Sequence, residues 1–183
     1  MRIICIVMAL FVLLGAVHQT PAQRPTEYEV KAAFLYNFAR FATWPETAFA
    51  KPDSPLVIGL WGPDPFGTSL ENTIRDKTAN GRPLKIRRFS QADDIQGCHV
   101  LFIPSSEFRY WAALQTHLEG VPVLTIGEVD GFCETGGMIN FILKQNRVRF
   151  EINIEAIERT KLEISSRLLR LAENLKTIPR EER

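Results

Sequence analysis

Cysteine and histidine are scarce in this chain, with three of each among 183 residues. There is no C-x-x-C pair, which argues against a thiol-redox enzyme. His99 and His117 have no cysteine or histidine at metal-ligand spacing, and structural roles are the more common explanation for such isolated histidines. We therefore predict no metal site and no cofactor.

Motifs for nucleotide binding and for hydrolysis are also missing. After the first predicted strand the sequence reads GPDPFG, which is not G-x-G-x-x-G, and Walker spacing occurs nowhere. No serine lies in a G-x-S-x-G elbow. The acidic pairs Asp93–Asp94 and Glu128/Asp130 fall in predicted turns or loops, where water can solvate both carboxylates. The prediction is a protein that is not an enzyme and has no catalytic residue.

The chain has no excess of charge of either sign. It carries 22 basic and 21 acidic residues, and removal of a leader containing Arg2 and no acid would leave 22 − 1 = 21 of each. A domain without net charge has no general electrostatic attraction to nucleic acid or to anionic lipid. We predict no nucleic-acid partner.

Only one long apolar run is present, at residues 3–17. Arg2 precedes it and small residues follow, which is typical of a signal peptide cleaved after Ala22. The run is too short for a comfortable membrane span. The sequence therefore predicts an exported protein with a leader at 1–22 and a single mature domain at 23–183; an uncleaved signal anchor is the alternative.

Short apolar stretches that end in Gly or Pro alternate with helical segments along most of the chain. Strands are predicted at 56–61, 84–89, 99–103 and 121–126, and the helices between them imply parallel pairing. Strands at 138–143 and 148–153 are separated by only four residues, which requires an antiparallel hairpin. The predicted fold is α/β: a doubly wound three-layer sandwich, mostly parallel, with an antiparallel hairpin at one edge.

The first predicted helix organises this arrangement. It begins with a Thr26/Glu29 capping box and ends at Trp44, because Pro45 disfavours helical geometry in the residue before it. The expected core stripe is Val30, Phe34, Phe38 and Phe41. The opposite face is apolar as well and consists of Tyr28, Ala32, Leu35, Ala39 and Ala42.

A helix that is apolar nearly all round must be covered on both sides. Either it is sandwiched inside one domain, or one face binds a partner or a second subunit in a homodimer. For the second case the candidate interface is Tyr28, Leu35, Ala39 and Trp44.

A ligand crevice is expected beyond the carboxyl ends of the parallel strands, where the strand order reverses. The residues predicted to surround it are Asp64, Ser105, Ser106 and Glu128. Asp64 and the two serines also fit helix caps, so both interpretations stay open.

Two cysteines remain after removal of the leader, Cys98 and Cys133. An even count in an exported chain suggests a disulfide between them. However, Cys98 begins a predicted strand and Cys133 follows the end of the neighbouring one. The strand is about 17 Å long and bridged Cα atoms must lie within about 7 Å, so only a loop that doubles back could join them.

The order and spacing of eight segments resemble the YfiR-type family of periplasmic regulators over nearly the whole mature chain. The segments are YEVKAAFLYNFARFATWPE at 28–46, DPFG at 64–67, NGRPL at 80–84, CHVLFI at 98–103, PVLTIG at 122–127, GGMINF at 136–141, RFEIN at 149–153 and ISSRLLRLA at 164–172. The resemblance implies the same α/β sandwich.

The resemblance also implies regulation without catalysis in the periplasm. Proteins of this type bind and repress the periplasmic sensor part of an inner-membrane diguanylate cyclase, and an outer-membrane lipoprotein sequesters them, which links envelope stress to cyclic-di-GMP and biofilm formation. Some members carry two disulfides, whereas Cys98 and Cys133 allow at most one here. The alternative is a periplasmic small-molecule sensor module that acts on another membrane partner.

Overall fold

The structure is a computed structural model that describes residues 25–176. The predicted leader at 1–22 lies outside the described residues. The α-helices are α1 (Glu27–Phe41), α2 (Ser69–Ile74), α3 (Trp111–Leu118), α4 (Ile154–Glu158) and α5 (Ser166–Leu169). The strands are β1 (Ala42–Thr43), β2 (Leu56–Trp61), β3 (Thr78–Ala79), β4 (Arg82–Phe89), β5 (Val100–Phe102), β6 (Leu124–Gly127), β7 (Ile139–Lys144), β8 (Arg147–Asn153), β9 (Glu163–Ile164) and β10 (Asn174–Lys176). Short 3₁₀ helices lie at Glu46–Ala48, Ala92–Ile95 and Ser105–Tyr110.

Eight of these strands form one mixed sheet in the order β10-β8-β7-β6-β5-β2-β4-β3, and β1 pairs with β9 separately. The neighbours from β4 through β2, β5 and β6 to β7 are parallel, while β7 and β8 form an antiparallel hairpin. Two consecutive residues at the hairpin turn, Gln145 and Asn146, have positive φ angles, as a type I′ turn requires. The predicted α/β sandwich with its hairpin is confirmed, although β10 adds a parallel strand outside the hairpin.

The central strand β2 is buried at every position, as expected for a strand covered on both faces. Gly59 makes close packing possible there, because a Cβ at this position would lie 2.6 Å from the Cys98 sulfur and 2.6 Å from the Phe89 ring. The side chains of Cys98 and Phe89 therefore pack directly against the backbone of β2.

Two separate hydrophobic cores lie on the two faces of the sheet. The first contains buried residues of α1, α2, α4 and α5 together with alternate residues of the strands. The second contains Trp111, Leu114 and Leu118 of α3, with Trp61, Phe89 and Phe132. Helix, sheet and helix thus form the three layers, and we call the two sides the α1 face and the α3 face.

Helix α1 begins with the predicted capping box: the Glu29 amide donates to the Thr26 side chain, and the Thr26 amide donates to the Glu29 carboxylate. Its orientation differs from the prediction. Ala32, Leu35 and Ala39 are fully buried, whereas three of the four expected core residues, Val30, Phe34 and Phe41, are only partly buried.

The prediction that Tyr28, Leu35, Ala39 and Trp44 form an outward-facing partner interface on α1 is therefore wrong. Leu35 and Ala39 have no exposed surface, and Trp44 is buried and donates its indole N–H to the His99 carbonyl at 3.1 Å. Tyr28 is partly buried and its hydroxyl contacts Glu128 inside the domain. The small alanines allow α1 to approach its own sheet closely, so the helix is sandwiched inside the domain.

Helices α2 and α5 are both short, with six and four residues. The turn after β2 is held by the Phe66 amide, which donates to Asp64 Oδ1 at 2.8 Å, so α2 begins only at Ser69. Near the carboxyl end, α5 stops at Leu169 and the chain becomes strand β10. Among residues 25–176 no helix combines the length and apolar character needed to cross a membrane.

Candidate functional site

A buried ion pair joins α1 to the carboxyl ends of the parallel strands. Lys31 Nζ lies 2.6 Å from Glu128 Oε2, and both side chains are 5% exposed. Glu128 also accepts hydrogen bonds from the Tyr28 hydroxyl at 3.2 Å and from the Ser105 amide at 3.0 Å. Lys31 has a second carboxylate partner, Glu27, one turn earlier in α1. The Glu128 carboxylate, directly after β6, thus contacts both α1 and the 3₁₀ helix that follows β5.

The electrostatics of this cluster follow from its burial. Desolvation alone would lower the pKa of Lys31, but the hydrogen bonds to Glu128 and Glu27 outweigh it, and the pKa lies above its usual value. The pKa of Tyr28 is also raised, first by burial and then by the nearby Glu128 charge. Lys31 therefore stays protonated and Tyr28 stays neutral near neutral pH.

Aromatic packing fills the space beside this ion pair. Phe66 lies edge-on to Tyr28, with ring centroids 5.4 Å apart, and edge-on to Phe102 at 5.0 Å. Phe66 is itself buried. The space beside Glu128 on the α1 face is consequently occupied by the protein's own side chains.

The structure brings only part of the predicted crevice together. Ser105 and Glu128 are in contact through the Ser105 amide, while Ser106 is exposed. Asp64 is held separately by Arg88, whose Nε donates to Asp64 Oδ2 at 3.1 Å, and Arg88 also pairs with Glu71 at 2.7 Å. Ligand binding by these four residues stays a prediction, and ion pairs give Asp64 and Glu128 structural roles.

Lys31 shows what the sequence reasoning missed on this face. The sequence analysis described only the apolar faces of α1 and gave Lys31 no role, but Lys31 provides the positive charge that pairs with Glu128. Its spacing of four residues from Glu27 on one helix was the available signal, since such pairs face each other.

The predicted disulfide is wrong, because Cys98 and Cys133 are both free and buried. Cys98 packs in the core of the α3 face and its thiol donates to the Val100 carbonyl at 3.1 Å. Cys133 follows β6 and its sulfur lies 3.9 Å from the Glu151 carbonyl. Burial raises the pKa of each thiol to about 12, so both remain protonated thiols.

His99 forms a buried aromatic cluster with Trp44 and Phe49. Its ring stacks on Phe49 at 4.4 Å, and its Nδ1 accepts a hydrogen bond from the Val57 amide at 3.1 Å. Burial lowers the pKa of His99 to about 4. His99 is therefore neutral in the folded protein at neutral pH, and its role is structural, as the sequence suggested.

Two open cavities of the described chain border α3. One groove of about 740 Å³ is lined by residues that include Trp111, Gln115 and Arg159. A smaller cavity of about 350 Å³ lies against Trp61, Glu107 and Tyr110. The sequence analysis did not predict the smaller cavity. Its signals were Trp61 at the end of a strand and Glu107 directly after the two serines of the predicted crevice, since both lie at the carboxyl ends of the parallel strands.

Large apolar side chains are exposed at one edge of the sheet. Leu143 of β7 is 60% exposed, Leu175 of β10 is 51% exposed, and Leu171 just before β10 is 57% exposed. Charged residues are close to them in the chain, and Lys144 and Arg149 both contact Glu173. We call Leu143, Leu171 and Leu175 the edge leucines.

Fold and site together define a class of protein: a three-layer α/β sandwich whose buried charges hold elements in place. Within residues 25–176 no three His, Cys, Asp or Glu side chains converge as metal ligands would. The buried ion pair Lys31–Glu128 joins a helix to strand ends.

The family model for YfiR/HmsC-like proteins matches residues 28–173, which is most of the chain, and the protein belongs to this family. Membership fits a periplasmic regulator of cyclic-di-GMP signalling.

Proposed function

We propose that this protein is a periplasmic regulator that binds and represses the periplasmic sensor part of an inner-membrane diguanylate cyclase. The observation that carries the proposal is the family match over residues 28–173. The function lowers cyclic-di-GMP synthesis and thereby modulates biofilm formation. An outer-membrane lipoprotein that sequesters the regulator is a further partner in this proposal.

The burial of α1 moves the proposed partner surface away from Leu35 and Ala39. The edge leucines are the better candidate, since exposed apolar side chains close to charged ones are typical of protein interfaces. Leu175 lies in a three-residue edge strand that pairs with only part of β8. A partner docking here would cover apolar surface without unfolding the domain.

Co-purification from the envelope tests the proposal. Tagged residues 23–183 are used to capture proteins from a detergent-solubilised envelope, and mass spectrometry identifies what is bound. We expect an inner-membrane diguanylate cyclase as the main captured protein. Capture of other proteins but no cyclase would contradict the proposal.

Matched variants locate the surface in the same experiment. Leu143→Glu and Leu175→Glu should each reduce capture of the cyclase strongly, because a charge then enters an apolar contact. Val121→Glu is the control, since Val121 is 40% exposed and lies outside the edge leucines. Circular dichroism confirms that all three variants fold. If all three variants captured the cyclase equally well, the edge leucines would not be the interface.

A second candidate function is a small-molecule sensor module acting on another membrane partner. The observation that favours it is the 350 Å³ cavity at the carboxyl ends of β2 and β4, a position where open α/β sheets bind ligands. The two functions are compatible, because a bound ligand could change the affinity for a protein partner.

A further inference from the structure

The small cavity lies where the strand order of the sheet reverses. Trp61 ends β2 and pairs with Phe89, the last residue of β4, while the chain that follows β4 contributes Ser90 and Gln91. The 3₁₀ helix after β5 contributes Glu107 and Tyr110. Three strand ends therefore supply the walls, on the α3 face and away from the filled α1 face.

The volume of about 350 Å³ suits a small ligand, because it is near the lower end of the range of about 300–1,000 Å³ for ligand pockets. Gly62 contributes to this shape. Its φ of +72° favours glycine, and a Cβ here would lie 2.7 Å from Glu107 Cγ. The bare backbone of Gly62 lets the Glu107 side chain lie against the loop.

Glu107 has an unusual environment for a carboxylate. Its side chain is only 14% exposed, yet it accepts no hydrogen bond from any residue between 25 and 176. Its ion-pair partner in that range is Arg109, with Nη2 3.7 Å from Oε1, and the Arg109 side chain is 68% exposed. A carboxylate that is mostly covered and has only this one distant ion pair keeps its oxygens available to a further donor or cation at the cavity.

Two aromatic rings stand beside this carboxylate. Trp61 and Tyr110 pack edge to face with centroids 6.5 Å apart. Within the described chain the Trp61 indole N–H and the Tyr110 hydroxyl have no hydrogen-bond partner. The Tyr110 ring already accepts a cation, since the Arg109 guanidinium carbon lies 5.0 Å from its centroid.

Aromatic rings next to a carboxylate form the combination that binds organic ammonium ions, through cation–π attraction and charge pairing. We infer that the cavity lined by Trp61, Glu107 and Tyr110 is a binding site for a small organic ammonium ion. The cation takes the place that Arg109 occupies only loosely, while the apolar part of the ligand contacts Trp61. This inference does not depend on the proposed regulation of a cyclase.

Isothermal titration of residues 23–183 with choline and with butylammonium tests the inference. The controls are the uncharged carbon isostere of choline, in which a quaternary carbon replaces the nitrogen, and butanol. At least one ammonium should bind with a dissociation constant in the millimolar range or below, and at least about tenfold more tightly than its neutral isostere. If both ammonium ions bind no better than their neutral isosteres, or do not bind, the inference is wrong.

Two neighbouring substitutions should act in opposite directions on the ammonium that binds. Glu107→Gln keeps the size of the side chain but removes its charge, and should weaken binding about tenfold or more. Arg109→Gln removes the competing cation and should tighten binding several-fold. Thermal unfolding shows whether either variant is misfolded. Unchanged affinity in a folded Glu107→Gln variant would overturn the site, and so would weaker binding in Arg109→Gln.

Discussion

The two faces of the sheet differ in how their aromatic and charged side chains are packed and paired. On the α1 face, Phe38 lies 5.0 Å from Phe150 and 5.7 Å from Phe141, and the buried Lys31 has two carboxylate partners. On the α3 face, Glu107 is largely buried and accepts no hydrogen bond from residues 25–176, and two open cavities border α3.

The difference distinguishes polar groups that stabilise the fold from polar groups that are available to a ligand. A buried charge that is fully paired stabilises one arrangement and leaves nothing for a ligand. A carboxylate next to free aromatic groups and open volume keeps its interaction capacity available. The α1 face therefore holds buried charge that is fully paired, and the α3 face is where we propose a ligand binds.

The largest expected effect comes from the aromatic packing of the α1 face. Phe38→Ala should lower the free energy of unfolding by about 3–5 kcal/mol, since Phe38 is fully buried among three other phenylalanines. Urea unfolding measures it. The matched control on the other face is Phe108→Ala, which should cost less because Phe108 is only partly buried. If Phe38→Ala lowered the free energy of unfolding less than Phe108→Ala, the aromatic packing of the α1 face would not be the more important of the two.

Breaking the buried ion pair should cost slightly less. Glu128→Gln leaves Lys31 buried with Glu27 as its remaining partner, and we expect a loss of about 3 kcal/mol in the free energy of unfolding. The double variant Lys31→Met/Glu128→Leu should recover much of that loss, because neither charge then remains buried. If the double variant is no more stable than Glu128→Gln, charge burial is not the cause.

Acid should destabilise the fold through His99. Its pKa is about 4 in the folded protein against about 6.5 unfolded, so the unfolded chain gains the proton first as the pH falls from 6.5 to 4. The free energy of unfolding should therefore drop over that range, by about 2 kcal/mol at pH 5 from this residue.

Two variants isolate this histidine. His99→Gln keeps an acceptor for the Val57 amide but cannot titrate, so the part of the pH dependence due to His99 should vanish. His117→Gln, on exposed α3 surface, serves as the control. An identical pH profile for wild type and His99→Gln would contradict the assignment.

The smallest expected effect is that of a reducing agent. Because Cys98 and Cys133 are free, dithiothreitol should leave the melting temperature of residues 23–183 unchanged. A clear decrease in the melting temperature would mean that a disulfide forms and that the placement of these cysteines is wrong.

The sequence predicts the fold well where the pattern is local. Apolar strands bounded by Gly or Pro, and the four-residue link at 144–147, are enough to identify the parallel sheet and its hairpin. Strand β10 was missed because Leu168, Leu171 and Leu175 have helical spacing, and only pairing with β8 makes the last of these a strand residue.

The site is harder to predict because it depends on contacts distant in sequence. Lys31 and Glu128 are 97 residues apart, so the charge partner of a buried lysine cannot be found from local pattern. The same holds for the orientation of α1: both of its faces are apolar, and only the sheet decides that Leu35 and Ala39 point inward. The crevice was expected at the carboxyl ends of the parallel strands, but the sequence could not name a face of the sheet, because that depends on how the helices pack.

One measurement distinguishes the two faces directly, namely the indole N–H signals of the tryptophans in an NMR titration with choline. Trp44 donates to His99 and Trp111 to Thr135, whereas Trp61 has no hydrogen-bond partner among the described residues. The Trp61 signal should shift with added choline while the Trp44 signal stays in place. A shift of Trp44 without a shift of Trp61 would contradict the assignment of binding to the α3 face.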